Sequence, residues 1–368
     1  MKFLIISKHD FRSLRKANIH FLATEFRSYG EVRFFSIGLS FLSRFNGDPR
    51  GNLGHLANKV EISDGVECYL QKNLLHPFRI RYGFLRMFER ALFSILSGFN
   101  SVVLDRWIID SDYVVLESGL PISVLPRIYR LKPDAKVVYI ASDDLDTIGC
   151  SVVLSDILDK FKSQFECIRL PSKTMIKKFE GLKNVFFVPH GFKSIPHEDL
   201  VNPYPPGTVN FVSVGSMLFD RSFFDIATEA FPDINFHIIG NCGDLSSMAS
   251  RGNVFYYGEM AYKDTLAYIK YANSGVAPYN MTPQDYYLSD TSLKLMQYDY
   301  FRLPSICPFE ACGGRQNRFG YKVGDRASIE EAINRALNFN VDFETKFLSW
   351  ADVAKRILYP RNYIDTTI

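Results

Sequence analysis

The stretch FVSVGSMLFD, residues 211–220, is a short apolar run that breaks on Gly215-Ser216 and leads into an amphipathic segment ending at Phe231. That is the local pattern of a buried strand feeding a helix through a tight turn. Forward of it the alternation continues, with strands expected at 235–239, 254–257, 275–278 and 305–307 and helices at 263–272, 292–301 and 328–339. Immediately before it lies FKSIPHEDLVNPYPPGTV, residues 192–209, whose four prolines suit a linker better than a sheet. Upstream of the linker a first series reads strand 3–7, helix 16–29, strand 31–37, strand 113–117, helix 121–131, strand 136–141, helix 151–164, strand 167–170, helix 172–182 and strand 184–189. Strand and helix alternating twice over predicts two Rossmann-like α/β halves. The changeover is placed between 195 and 196, and the closing FLSWADVAKRIL is read as a helix, about 346–368, that returns to the first half.

Size and composition agree with two domains. At 368 residues the chain exceeds what one core usually fills. Hydrophobic residues at 47% and charged residues at 23% exclude disorder, and a net charge of +3 is too mild to imply nucleic acid. The six cysteines show no Cys/His ligand spacing and read as reduced, structural thiols. MKFLIISKHDF turns polar too soon for a secretory leader and is expected to be a buried first strand. No run approaches the roughly 18 apolar residues of a spanning helix.

Open α/β sheets bind ligands beyond the carboxyl ends of their strands, so the residues after each apolar run carry the chemistry. Gly215 and Ser216 would let backbone approach a phosphate at a helix N-terminus, or form a plain βα turn. Glu259, closing a strand, could hold two ribose hydroxyls, with Met260 presenting backbone to a uracil edge; the competing role is a helix-dipole acid. Tyr279 could border the base or merely pack. In DTSLKLMQYDYF, Ser292 caps a helix whose first turn holds Lys294, a cation that opposes the macrodipole unless an anion joins it. Lys294 therefore reads as a pyrophosphate or sugar-carboxylate partner, with Gln297 on the same face, against the alternative of a solvated lysine.

In the first half, YIASDDLD runs a strand into Asp143, Asp144 and Asp146. Asp143 suits a general base for an acceptor hydroxyl, while Asp144-Leu145-Asp146 also has the D-x-D spacing that holds a metal on a nucleotide. Asp143 as base is preferred, with no metal and no cofactor. Arg12, Arg15, Lys16 and Asn18 follow the first strand and could meet an anionic lipid diphosphate, or form a basic surface loop. Arg79, Arg81, Arg86 and Arg90 lie among aromatic and aliphatic residues, a mixture that suits an interfacial segment on anionic lipid and equally a packed core.

In order along the chain, HDFRSLRKANIHF, RFFSIGLSFLSR, LHPF, YVVLESG, ASDDLDTI, VGSMLFD, YGEM, YIKYA, APY, SLKLMQYDYF and RFGY resemble the GumK-type glucuronosyltransferases of xanthan assembly over nearly the whole length. That resemblance implies an inverting, metal-independent GT-B enzyme, two Rossmann-like domains about a cleft, that uses UDP-glucuronate. Its acceptor would be a mannose-terminated, polyprenyl-diphosphate-linked glycan at the cytoplasmic face of the inner membrane, reached without a transmembrane helix. By position Asp143 matches the family's base, and Met217, Asp220, Glu259, Met260, Tyr279, Lys294 and Gln297 its donor cleft. The family's counterpart of ASDDLDTI lacks the second and third aspartates, which argues against the metal reading and leaves a changed acceptor open. A UDP-sugar epimerase, a transferase of another sugar and a noncatalytic binding subunit are the alternatives.

Overall fold

The protein is described by a computed structural model covering residues 1–13, 16–40, 49–73, 89, 91, 93, 101–192, 199–245, 248, 250–282 and 285–366. It divides into two compact units, Met1–Gly191 with Leu348–Ile368, and Phe192–Phe347.

In the first unit eight strands form one sheet: β1 (Lys2–Ser7), β2 (Glu31–Ser40), β3 (Val60–Ser63), β4 (Val66–Asn73), β5 (Tyr113–Glu117), β6 (Lys136–Ile140), β7 (Cys167–Leu170) and β8 (Val185–Phe187). Their order is β3-β4-β2-β1-β5-β6-β7-β8, parallel except for the β3–β4 hairpin. Helices α1 (Asn18–Phe26), α2 (Val102–Asp110), α3 (Leu125–Leu131) and α4 (Val152–Phe161) lie between them in sequence. The strands are apolar end to end because parallel strands are covered on both faces; Phe3, Leu4, Ile5 and Ile6 are all inaccessible. Ser101 and Ser151 start α2 and α4 by accepting the N–H of Leu104 (3.2 Å) and Val153 (3.0 Å).

The second unit holds six parallel strands, β9 (Val209–Val214), β10 (Ile234–Ile239), β11 (Val254–Gly258), β12 (Ser274–Val276), β13 (Ser305–Pro308) and β14 (Arg318–Tyr321), in the order β11-β10-β9-β12-β13-β14. Its helices are α5 (Arg221–Ala230), α6 (Tyr262–Tyr271), α7 (Leu288–Thr291), α8 (Leu293–Tyr300) and α9 (Arg326–Leu337). The last helix, α10 (Trp350–Leu358), belongs to the first unit. It lays Trp350, Val353, Ala354 and Ile357 into the core formed by α1 and β1, with Trp350 stacked on Phe21 at 5.1 Å. Burying its two large side chains, Trp350 and Ile357, contributes about 1.5–3 kcal/mol each.

Several sequence expectations shift. Residues 172–182 form a 3-10 turn, Lys173–Phe179, and the segment at 121–131 opens as a 3-10 turn before α3. The β3–β4 hairpin and β14 are additional strands. The hairpin turns on Asp64-Gly65, both at positive φ (46° and 72°), which is the chemistry an Asp-Gly pair supplies.

Candidate active site

Both sheets reverse their strand order once, the first between β1 and β5 and the second between β9 and β12, and such switch points open a crevice at the carboxyl ends. Each unit places polar side chains there.

In the second unit β9 is followed directly by Gly215, held at φ 91° with its N–H on Ile239 O at 2.7 Å. Gly240, directly after β10, sits so close that a Cβ on it would come within 3.1 Å of the Gly215 backbone. Side chains at these two ends are therefore replaced by accessible backbone. Tyr279, just past β12, donates or accepts a 2.5 Å bond with Ser292 Oγ, and Ser292 caps α8 by accepting the Leu295 N–H at 3.2 Å. Over the Tyr279 ring, 5.0 Å from its centroid, stands the Lys294 ammonium, 3.5 Å from Gly215 O. Lys294 is 9% exposed, and among the described residues no carboxylate forms an ion pair with it. Burial pushes its pKa down from 10.5 to about 8, and burial likewise pushes the Tyr279 phenol up to about 12.

Around this centre the other expected residues take distinct places. Met260 packs into the cluster of Val212, Ile239, Ala277 and Tyr279. Gln297, buried one turn beyond Lys294, bonds the Tyr262 side chain. Glu259 is exposed directly after β11, Ser216 is half-buried and Met217 is 42% exposed. Asp220, expected in the donor cleft, is engaged within the unit. Its Oδ1 caps α5 through the Ser222 N–H (3.0 Å), and its Oδ2 accepts the Tyr321 hydroxyl (3.2 Å), so both oxygens serve the fold of the unit.

In the first unit the switch point is built on Glu117, the last residue of β5. Its Oε2 accepts the Ser7 hydroxyl at 2.5 Å and its Oε1 the Ser142 hydroxyl at 3.3 Å. The His9 imidazole lies 3.9 Å from Oε1. Burial raises Glu117 to about 7 against the opposing pull of the two hydroxyls. Asp143 follows Ser142 at the end of β6, half-buried, with its N–H on Ser118 Oγ at 3.1 Å. The sequence reading passed over Glu117; its signal is an acid closing the otherwise apolar YVVLE.

The basic residues after β1 are only partly available. Arg12, expected near a lipid diphosphate, holds Asp10 with two bonds of 2.9 Å and Glu61 with one of 3.1 Å inside the unit. Asn18, expected with Arg12 near a lipid diphosphate, is buried and donates to Ser142 Oγ (3.0 Å), next to Asp143 in sequence. Lys16 is exposed and donates to Phe11 O at 2.6 Å. Arg15, Arg79, Arg81, Arg86 and Arg90 lie outside the described residues. Asp144 and Asp146 share one cation, the Lys178 ammonium, at 2.9 and 2.8 Å. No group of three or more possible metal ligands, and no helix long and apolar enough to cross a membrane, occurs among the described residues.

Comparison with known proteins bears on this geometry. A family model described as glucuronosyltransferase GumK, N-terminal domain, matches residues 5–171. A UDP-glucuronate:glycolipid 2-beta-glucuronosyltransferase of Xanthomonas campestris pv. campestris is 39% identical over 367 residues, covering 100% of this chain and 91% of the relative. Among solved structures, the trehalose-6-phosphate synthase OtsA superposes with a TM-score of 0.62 at 10% identity, over 99% of this chain and 96% of that one. A UDP-forming α,α-trehalose-phosphate synthase of Burkholderia xenovorans gives 0.61 at 9% identity, over 99% and 97%. At such low identity these two speak to the fold alone, and the fold is GT-B.

Proposed function

The chain belongs to the GumK glucuronosyltransferase family and is a glycosyltransferase, and from that premise we propose that it moves glucuronate from UDP-glucuronate to a mannose-terminated, polyprenyl-diphosphate-linked glycan with inversion. The observation that carries the donor half is Lys294, a buried ammonium at the switch point of the second sheet with no ion-paired carboxylate among the described residues. A cation kept there at the expense of solvation suits the anionic diphosphate of a UDP-sugar or the carboxylate of its sugar. The turn at Gly215 lets Ser216 offer its backbone N–H to the same anion, Glu259 takes the ribose hydroxyls, Met260 meets the uracil edge, and Tyr279, Ser292 and Gln297 hold Lys294 and its helix in place.

On the acceptor side Asp143 removes the proton from the attacking sugar hydroxyl. The oxygen bonds the anomeric carbon, the bond from that carbon to the diphosphate oxygen breaks, and UDP leaves with the electron pair. Lys294 and the N-terminal N–H groups of α5 and α8 stabilise the departing charge. Since a lysine and backbone donors perform that task, no metal is required. Lys178, which clasps Asp144 and Asp146, supports the same reading by occupying the D-x-D carboxylates.

The acceptor is carried by lipid, and contact with an anionic surface at the cytoplasmic face of the inner membrane fits it. Supporting this, α2 leaves Val102 (77% exposed), Ile109 (58%) and Arg106 open to solvent, an exposed apolar and basic mixture of the kind that suits an anionic lipid surface. The test is UDP release from a panel of UDP-sugars with extracted lipid-linked acceptor, with and without EDTA. Acceptor-dependent, EDTA-resistant turnover of UDP-glucuronate is expected; loss of turnover with EDTA would return Asp144 and Asp146 to the metal role, and turnover of another sugar alone would replace the donor.

A further inference from the structure

Glu117 has no part in the transfer step as written, yet it is buried at the place where the first sheet opens. Its two carboxyl oxygens tie three strand ends together. Ser7 closes β1 and gives its hydroxyl to Oε2 at 2.5 Å, while the same Ser7 oxygen accepts the His9 N–H at 2.8 Å. Ser142, the residue before Asp143, gives its hydroxyl to Oε1 at 3.3 Å and is braced from α1 by Asn18 at 3.0 Å. The neighbour of Glu117 in sequence, Ser118, receives the Asp143 N–H at 3.1 Å. Thus Asp143 is fixed through its backbone on one side and through Ser142 on the other, and both ties start from Glu117-Ser118 at the end of β5.

We propose that Glu117 is a positioning residue for Asp143, holding the base-bearing turn at the β1–β5 switch point and adding a negative charge behind it once the Glu117 carboxyl ionises. The inference rests on the assignment of Asp143 as base. Among the described residues the Glu117 carboxyl is hydrogen-bonded only to hydroxyls and meets no lysine or arginine, and few charged or titratable groups face it. His9 approaches from the loop after β1. Tyr139 and Asp143 come from β6 and its end, with Tyr139 electrostatically coupled to both Glu117 and Asp143. Asp10, further along the loop after β1, is already neutralised by Arg12, and the 3-10 turn Leu120–Val124 brings no charge. Burial places the Glu117 titration at about 7. Below that pH the group is neutral; above it the ionised carboxylate favours the protonated form of Asp143, the form the transfer step creates. Turnover at saturating donor should therefore rise as pH passes through neutrality.

The experiment compares the full chain with Glu117→Gln, Glu117→Ala and Asp143→Asn, using UDP-glucuronate and lipid-linked acceptor, with kcat followed against pH, donor affinity measured separately and thermal melting as a folding control. Glutamine keeps acceptor and donor atoms where the carboxyl stood and cannot ionise. Its kcat should stay at the native low-pH level across the range, with donor affinity unchanged. Alanine releases the turn, and kcat should fall about tenfold or more, the scale set by small misplacements of reacting groups, with donor binding retained. Glu117→Gln following the native pH profile, or a folded Glu117→Ala with native kcat, overturns the inference while a dead Asp143→Asn leaves the base assignment standing. Full turnover by Asp143→Asn removes the base assignment, and this inference with it.

Discussion

Replacing Lys294 with methionine should move stability and donor affinity in opposite directions. The ammonium is 9% exposed, and burial takes its pKa from 10.5 to about 8. That shift corresponds to roughly 3 kcal/mol held against the charged form in the empty protein. Methionine keeps the stem and its packing over Tyr279 without a charge to desolvate, so the variant should gain about 2–3 kcal/mol near neutral pH. For a unit of this size each kcal/mol moves the melting point about 2–4 °C, which gives a rise of roughly 5–10 °C by scanning fluorimetry. The sign is set by linkage. Between about 8 and 10.5 the unfolded chain holds a proton that the native lysine has lost, so the penalty fades as pH rises and the variant's advantage is full only below about 8. Affinity behaves oppositely: a charge-assisted contact to a diphosphate is worth about 1.5–3 kcal/mol, so UDP should bind about ten- to hundredfold more weakly to the variant by calorimetry. Native affinity should fall as pH passes about 8, and the variant's should stay level. A variant that melts no higher than the native protein and binds UDP equally well would refute both the stored penalty and its use.

Neutralising Arg79, Arg81, Arg86 and Arg90 together should weaken flotation with anionic vesicles by about 1 kcal/mol per charge and leave neutral vesicles unaffected; equal flotation of both proteins would remove this segment from membrane contact. Lys178→Met leaves Asp144 and Asp146 without their shared cation at 2.9 and 2.8 Å. Stability should change by less than about 1 kcal/mol, because the pair is open to water, but manganese should now raise the melting point of the variant and not of the native chain. Gly275→Ala drives a Cβ into the Tyr298 ring. Tyr298 is fixed by bonds to Val212 O (3.1 Å) and Val276 O (3.2 Å), so relief by rotation is closed and a loss of about 1–3 kcal/mol is expected in denaturant titration.

What could be read without coordinates follows from the range of the interactions. Strands such as FLIIS and NFVSV are buried on both faces, and their apolar runs declare it; the alternating order of two Rossmann-like sheets follows from that alone. The β3–β4 hairpin escaped because its strands alternate exposed Val60 and Ile62 with polar residues at the sheet edge, leaving only Asp64-Gly65 as a signal. β14 escaped because RFGY opens on an arginine, and Arg318 becomes an interior residue through its 2.7 Å pair with buried Asp299 and its bonds to Ser289 O (2.6 Å) and Ala311 O (3.1 Å). Least legible were partners that lie far along the chain. Arg12 looks like a free cation until Glu61 and Asp10 close on it, and Asp220 like a free acid until Tyr321, 101 residues away, reaches its second oxygen.

The two switch points carry one physical device with opposite signs. At β1–β5 burial raises an acid to about 7, and at β9–β12 it lowers a lysine to about 8. Among the described residues Glu117 meets only the His9 imidazole, at 3.9 Å, and Lys294 meets no carboxylate, so each costs the empty fold free energy that an apolar residue of equal volume would not. A parallel sheet makes such sites available, because its carboxyl ends present hydroxyls, glycines and helix N-termini where side chains part. In the proposed transfer of an anionic sugar nucleotide these signs are the useful ones: the first site would serve a proton leaving the acceptor, the second negative charge gathering on the diphosphate. On that reasoning the double variant Glu117→Gln, Lys294→Met should be more stable than the native chain by nearly the sum of the single gains, since the groups lie in separate compact units, and it should lose transfer. Stability gained at both places at the expense of turnover is the outcome that burial for function requires; burial for folding alone would give the reverse.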